Sequence, residues 1–146
     1  MEYLEKLKQI SNENHIPIIK DDGCDFLTSF CKEHNFQNIL EIGTAVGYSG
    51  SFMLNNTTNS HLTTIEINEK NFNVAKTTFQ TLNLTNRVTQ ILGDAKDVIK
   101  TLNCEYDFIF LDGPKGQYLA YYEDLLKLLK VGGYILVDNV YFHGLV

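Results

Sequence analysis

A single arginine, Arg87, stands among the 146 residues, and the formal net charge is −6. Together these exclude a broad cationic footprint for nucleic acid, though not a local one. There are two prolines, and no low-complexity tract, linker or repeat, so neither a disordered chain nor a repeat array is expected. No apolar run approaches the roughly 18 to 20 residues that a membrane span needs. The N-terminus MEYLEKLKQ lacks the basic-then-apolar layout of a secretory signal. A cytoplasmic location without membrane contact is the expectation. Cys24, Cys31 and Cys104 are odd in number and without C-x-x-C spacing, which excludes a disulfide framework and predicts reduced, mostly structural thiols. His15, His34, His61 and His143 never fall at helical ligand spacing, which argues against zinc.

What is present is 44% hydrophobic content, enough for one globular domain with a real core over residues 1–146. Apolar periodicity predicts an amphipathic helix from Met1 to about His15, stopped by Pro17, and a second helix capped by Asp21 or Asp22 and running to His34. Strands and helices then alternate. The predicted order is strand Asn38 to Gly43, helix from Tyr48, strand Leu62 to Ile67, helix Glu69 to Leu82, strand Val88 to Leu92 and a short helix after Asp94. Strand Phe108 to Leu111, helix Gln117 to Leu129 and strand Tyr134 to Val137 complete it. This alternation predicts a doubly wound α/β domain, with a parallel sheet covered on both faces.

In such sheets ligands bind beyond the carboxyl ends of the strands. Reading past each strand gives Gly43 to Ser49, then Glu66, then Gly93 and Asp94, then Asp112, then Asp138 and Asn139, so every strand end carries an acid or an amide. In ILEIGTAVGYS, residues 39 to 49, an apolar strand holding Glu41 runs into a glycine loop and a helix. The spacing is G-x-x-x-G rather than the G-x-G-x-x-G of dinucleotide sites. Glu41 would repel a phosphate, whereas S-adenosylmethionine carries an ammonium and a sulfonium and no phosphate. The loop therefore reads as a pocket for that cofactor. Glu66 can accept hydrogen bonds from both ribose hydroxyls, with Asn68 left to cap the next helix. Asp94 and Ala95 sit where an adenine would lie, although Asp94 serves equally as a helix cap.

FLDGPKGQY and LVDNV carry the chemistry. Asp112, Asp138 and Asn139 offer hard oxygen donors suited to Mg²⁺, and burying such acids together without a cation would be costly. Lys115, close after Asp112, is placed as general base or as a cation beside a developing oxyanion. Lysines 96, 100, 115, 127 and 130 cluster in the second half, a pattern that a solvated helix face explains as well as a docking patch does.

On these motifs the chain resembles the metal-dependent, S-adenosylmethionine-dependent class I O-methyltransferases, the group of the catechol and caffeoyl-CoA enzymes. HIPII, EIGTAVGYS, DGPKGQY and DNVYFHGLV are most similar to the bacterial tRNA 5-hydroxyuridine methyltransferases. The resemblance implies Asp112, Asp138 and Asn139 as metal ligands and Lys115 as the catalytic lysine, with Asp112 also at the reaction centre and beside the cofactor. It further implies Ile18, Glu41, Gly43, Ser49, Glu66, Asp94 and Ala95 as cofactor contacts. Expected partners are tRNA or a small catechol-like phenol, and family members commonly form homodimers. Members carry two further strands beyond the segment ending at Val146, so a truncated chain without the C-terminal antiparallel hairpin is expected. A cofactor-binding domain without catalysis and a nicotinamide oxidoreductase are the competing classes. The intact Asp112, Lys115, Asp138 and Asn139 oppose the first, and the missing G-x-G-x-x-G opposes the second.

Overall fold

The computed structural model describes residues 2–112 and 118–138. Helices α1 (Glu2–Glu13) and α2 (Asp21–His34) precede an alternating series of β1 (Asn38–Ile42), α3 (Tyr48–Asn55), β2 (His61–Glu66), α4 (Glu69–Thr81), β3 (Val88–Leu92) and α5 (Ala95–Val98). β4 (Tyr106–Leu111), α6 (Tyr122–Leu128) and β5 (Leu129–Val137) follow. The strands form one sheet in the order β3-β2-β1-β4-β5, and every pairing is parallel. This is the predicted doubly wound arrangement, its order reversing between β1 and β4.

Alternation along the central strands explains why both faces are covered. Ile39, Leu62, Phe108 and Phe110 point to one face and pack with Leu4, Leu27, Met53, Leu54 and Phe79 of α1 to α4. Leu40, Ile42, Ile65, Ile109 and Leu111 point to the other and pack with Leu125 and Leu128 of α6. Cys24 and Cys31 are buried on α2, Cys104 is exposed, and all three are free thiols. Burial pushes the Cys31 thiol up to about 12, so it stays neutral. Among the described residues no helix is long and apolar enough to cross a membrane.

Several predicted boundaries differ from those observed. α1 ends before Pro17 exerts any effect. His15 turns left-handed at φ 57, and Ile16 N–H donates to the Ser11 carbonyl at 2.8 Å, so the helix closes on its own backbone. Neither Asp21 nor Asp22 caps α2. Lys20 occupies the cap position without a side-chain capping bond, and Asp21 reaches back to Lys8 Nζ at 2.6 Å. The helix predicted over Gln117 to Leu129 is a 3-10 turn at Tyr118–Ala120 followed by α6; Gln117 lies outside the described residues. Leu129 already begins β5, whose register against β4 is interrupted between Tyr106 and Phe108. Gly132, at φ 85, and Gly133 hid this longer strand from the alternation pattern.

Ser11 is 1% exposed on α1, and its hydroxyl has no hydrogen-bond partner among the described residues. A buried, unpaired hydroxyl loses hydration without recompense, and alanine is the better helix former. Ser11→Ala is expected to stabilise the fold by about 1 kcal/mol, read as a higher urea midpoint at unchanged slope. A lower midpoint would show that the hydroxyl has a partner after all.

Candidate functional site

The sheet's hydrogen-bond ladder continues one residue beyond the strands at their carboxyl edge. Gly43 N–H donates to the Ile65 carbonyl, Asp112 N–H to Ile42, Gly93 N–H to Glu66 and Asp138 N–H to Leu111, each at 2.9 Å. These bonds pin the first residue after β1, β4, β3 and β5 in the plane of the sheet. Asp112 and Asp138 thus stand in one row with the loop from Gly43 to Gly47.

That loop is shaped by close approach. Gly43 has φ +98, and a Cβ there would lie 2.0 Å from the Asp112 carbonyl oxygen, so no other residue fits without moving the strand end. Ala45 follows at φ 48, and its N–H donates to Glu66 Oε1 at 2.7 Å. Asn68 N–H donates to Glu66 Oε2 at 2.9 Å. Glu66, 8% exposed, is therefore oriented by the backbone on both oxygens. Each oxygen retains a lone pair for a further donor. Asn68 caps α4, its Oδ1 accepting from Asn71 N–H at 2.9 Å. Asp94 caps α5 in the same way, accepting from Lys96 N–H at 3.1 Å, with Ala95 opening the helix behind it.

Glu41 sits beneath the loop with 0% exposure. Its carboxylate accepts from Ser49 Oγ at 2.5 Å and from Thr64 Oγ1 at 2.7 Å, and Thr64 is 2.6 Å from Thr44 Oγ1. Burial pushes the Glu41 carboxyl up to about 7, partly offset by the two hydroxyl donors. It supports the loop from below, through Ser49 and Thr64. Thr44 and Thr64 were not singled out in the sequence; the β1 to β2 register, which sets Thr64 opposite Glu41, is the signal that finds them. Ile18, half-buried, lies in the link between α1 and α2. Ile67, 67% exposed directly after Glu66, is an apolar surface at the same edge that the sequence also did not single out.

Asp112 is half-buried. Its carboxyl is pushed up to about 8, first by burial and then by Asp138, Glu41 and Glu66. These acids share one negative field. Their chemistry fits a hard divalent cation such as Mg²⁺, which takes one or two carboxylates and completes its shell with water or substrate oxygens. Among the described residues no group of three His, Cys, Asp or Glu is placed to hold a metal. Asn139, the third expected ligand, and Lys115 lie outside the described residues.

Of the described basic residues, Lys96 lies at the site edge, its Nζ 3.9 Å from the Asp94 carboxylate. Arg87 is at the opposite edge of the sheet, its guanidinium donating to the carbonyls of Ser60 and Leu54 at 3.0 Å each. Lys96, Lys100, Lys127 and Lys130 are exposed, as a solvated face requires.

A sequence profile of the O-methyltransferase family matches residues 1–146. The chain is 34% identical over 138 residues to tapetum-specific methyltransferase 1 of Arabidopsis thaliana, covering 91% of this chain and 58% of that protein. It is 29% identical over 158 residues to a caffeoyl-CoA O-methyltransferase of Populus kitakamiensis, covering 99% of this chain and 66% of that one. It therefore spans about three fifths to two thirds of these relatives' length. An O-methyltransferase of Bacillus cereus in complex with SAH superposes with a TM-score of 0.89 at 30% identity, over 99% of this chain and 69% of that one. The Streptomyces achromogenes O-methyltransferase of tomaymycin synthesis, in complex with SAM, superposes at 0.88 with 28% identity, over 99% and 68%. With the profile matched from end to end and the acids and glycine loop gathered at one sheet edge, this chain belongs to the O-methyltransferase family.

Proposed function

We propose that this protein transfers the methyl group of S-adenosylmethionine to a hydroxyl oxygen, with Mg²⁺ or a similar divalent cation at Asp112, Asp138 and Asn139. The observation that carries this reading is the row of Glu66, Asp112 and Asp138 beside the Gly43 loop, together with family membership and a relative in complex with SAM. Glu66, held by two backbone amides, would accept from the ribose hydroxyls. Asp112 and Glu41, whose carboxyls are pushed up to about 8 and about 7, would be drawn back toward the charged form by a bound ammonium and sulfonium. When bound, the cation would hold the acceptor oxygen and lower the pKa of its hydroxyl. Lys115 would take the hydroxyl proton, and the oxygen would then displace the methyl in line, its C–O bond forming as the C–S bond breaks.

Motif likeness favours 5-hydroxyuridine of the tRNA wobble position as the acceptor. A small catechol-like phenol is the second reading, and one observation favours it: the sole arginine is spent on carbonyls at the far edge of the sheet, while the site edge is acidic. RNA binding otherwise draws on basic side chains around the site.

The test offers hypomodified tRNA and catechol in parallel to the protein with S-adenosylmethionine and Mg²⁺, read by mass spectrometry of nucleosides and phenols. Appearance of 5-methoxyuridine supports the tRNA acceptor; a methylated catechol alone supports the phenol. Neither product, with S-adenosylhomocysteine still binding in calorimetry, would overturn the enzymatic reading in favour of a cofactor-binding domain.

A further inference from the structure

Gly23 lies in the first turn of α2. A Cβ there would come 3.0 Å from Ile19 Cγ1, 3.3 Å from Ile19 Cδ1 and 3.3 Å from Asp138 Oδ1. Its backbone is not in the left-handed region, so helix geometry alone would admit any residue, and glycine is a poor helix former. What its absent side chain supplies is room. Of the two neighbours, Ile19 is 3% exposed and locked in the core. The Asp138 backbone is pinned to Leu111. The Asp138 carboxylate oxygen is the polar group that a methyl on Gly23 would meet.

We propose that Gly23 is a positioning residue for Asp138: the bare α-carbon lets the first turn of α2 close against the carboxylate and sets the direction in which it presents its oxygens to a divalent cation. The proposal rests on the reading of Asp138 as a metal ligand. It makes α2, far from β5 in sequence, the outer support of the cation site. Supports of this kind commonly alter metal affinity 10- to 100-fold when changed.

The test is Mn²⁺ binding to the purified chain, followed by the loss of the free-ion electron paramagnetic resonance signal, with circular dichroism as the check on folding. Gly23→Ala is expected to fold, since alanine favours the helix, and to bind Mn²⁺ about tenfold more weakly than the wild type. Adding Ile19→Ala makes room for the new methyl away from Asp138. The double variant is expected to regain most of the Mn²⁺ affinity although it loses core packing, which a merely structural role for Gly23 would not produce. Equal affinity in wild type and Gly23→Ala, with Asp138→Ala abolishing binding, would overturn this proposal and leave the site reading intact. Absence of Mn²⁺ binding by the wild type would overturn the site reading itself, and this proposal with it.

Discussion

Asp138→Ala is expected to lower methyl transfer by on the order of 10³-fold, equivalent to about 4 kcal/mol of activation free energy, in a protein that still folds and still binds S-adenosylhomocysteine. Asp138 is 8% exposed and hangs from the end of β5 by its N–H bond to Leu111, so shortening its side chain leaves the backbone ladder intact. What disappears is one of the two described carboxylates proposed to hold a divalent cation. Removing it also removes a negative charge that bears on Asp112, so stability without metal is not expected to fall much. The check pairs initial rates on whichever acceptor the parallel assay turns over with S-adenosylhomocysteine calorimetry. Activity within tenfold of wild type would show that this carboxylate holds no catalytic metal. Loss of S-adenosylhomocysteine binding along with activity would instead point to a collapsed pocket.

Glu41→Gln is expected to stabilise the fold by about 2 to 3 kcal/mol at pH 8 and to change it little near pH 4.5. The Glu41 carboxyl, with no exposed surface, is raised from the usual carboxylate range to about 7, chiefly by burial. The folded state thus holds this proton more tightly than the unfolded chain does. Its contribution to stability is fully present below about pH 4.5 and is lost as pH rises through about 7. Glutamine is the neutral isostere of the protonated acid, so it removes that loss. Thr64 Oγ1 can rotate to accept from the new amide while still bonding Thr44. Urea denaturation at the two pH values measures the difference. An unchanged gap between the proteins at both would mean that Glu41 titrates as an ordinary surface acid.

The sheet and its order of elements were legible because burial on both faces leaves a simple mark: apolar runs such as Ile39 to Ile42 and Phe108 to Leu111, separated by helical periodicity. The acids at the strand ends were legible for a related reason. A charged residue closing an apolar run has nowhere to go but the crevice. The end of α1 was less legible, because His15 adopts a left-handed turn that glycine would have announced. The start of β5 was hidden by Gly132 and Gly133, which interrupt alternation without ending the strand. Asp21 looked like a cap in one dimension; in three, Lys8 of the preceding helix was the nearer partner.

By itself the sequence determined the parallel α/β layering, the glycine loop and which acids reach the sheet's carboxyl edge, since period and residue type are local properties of the chain. Only the tertiary structure decided what those acids meet. Glu41 lies under the loop, bound to Ser49 and Thr64, because β1 and β2 pair in that register. Glu66 is fixed by the Ala45 amide, and Asp138 lies against Gly23 of α2, because helices and strands far apart in the chain are packed against one another. Contacts of that kind depend on distances across the fold, which no spacing along the chain encodes.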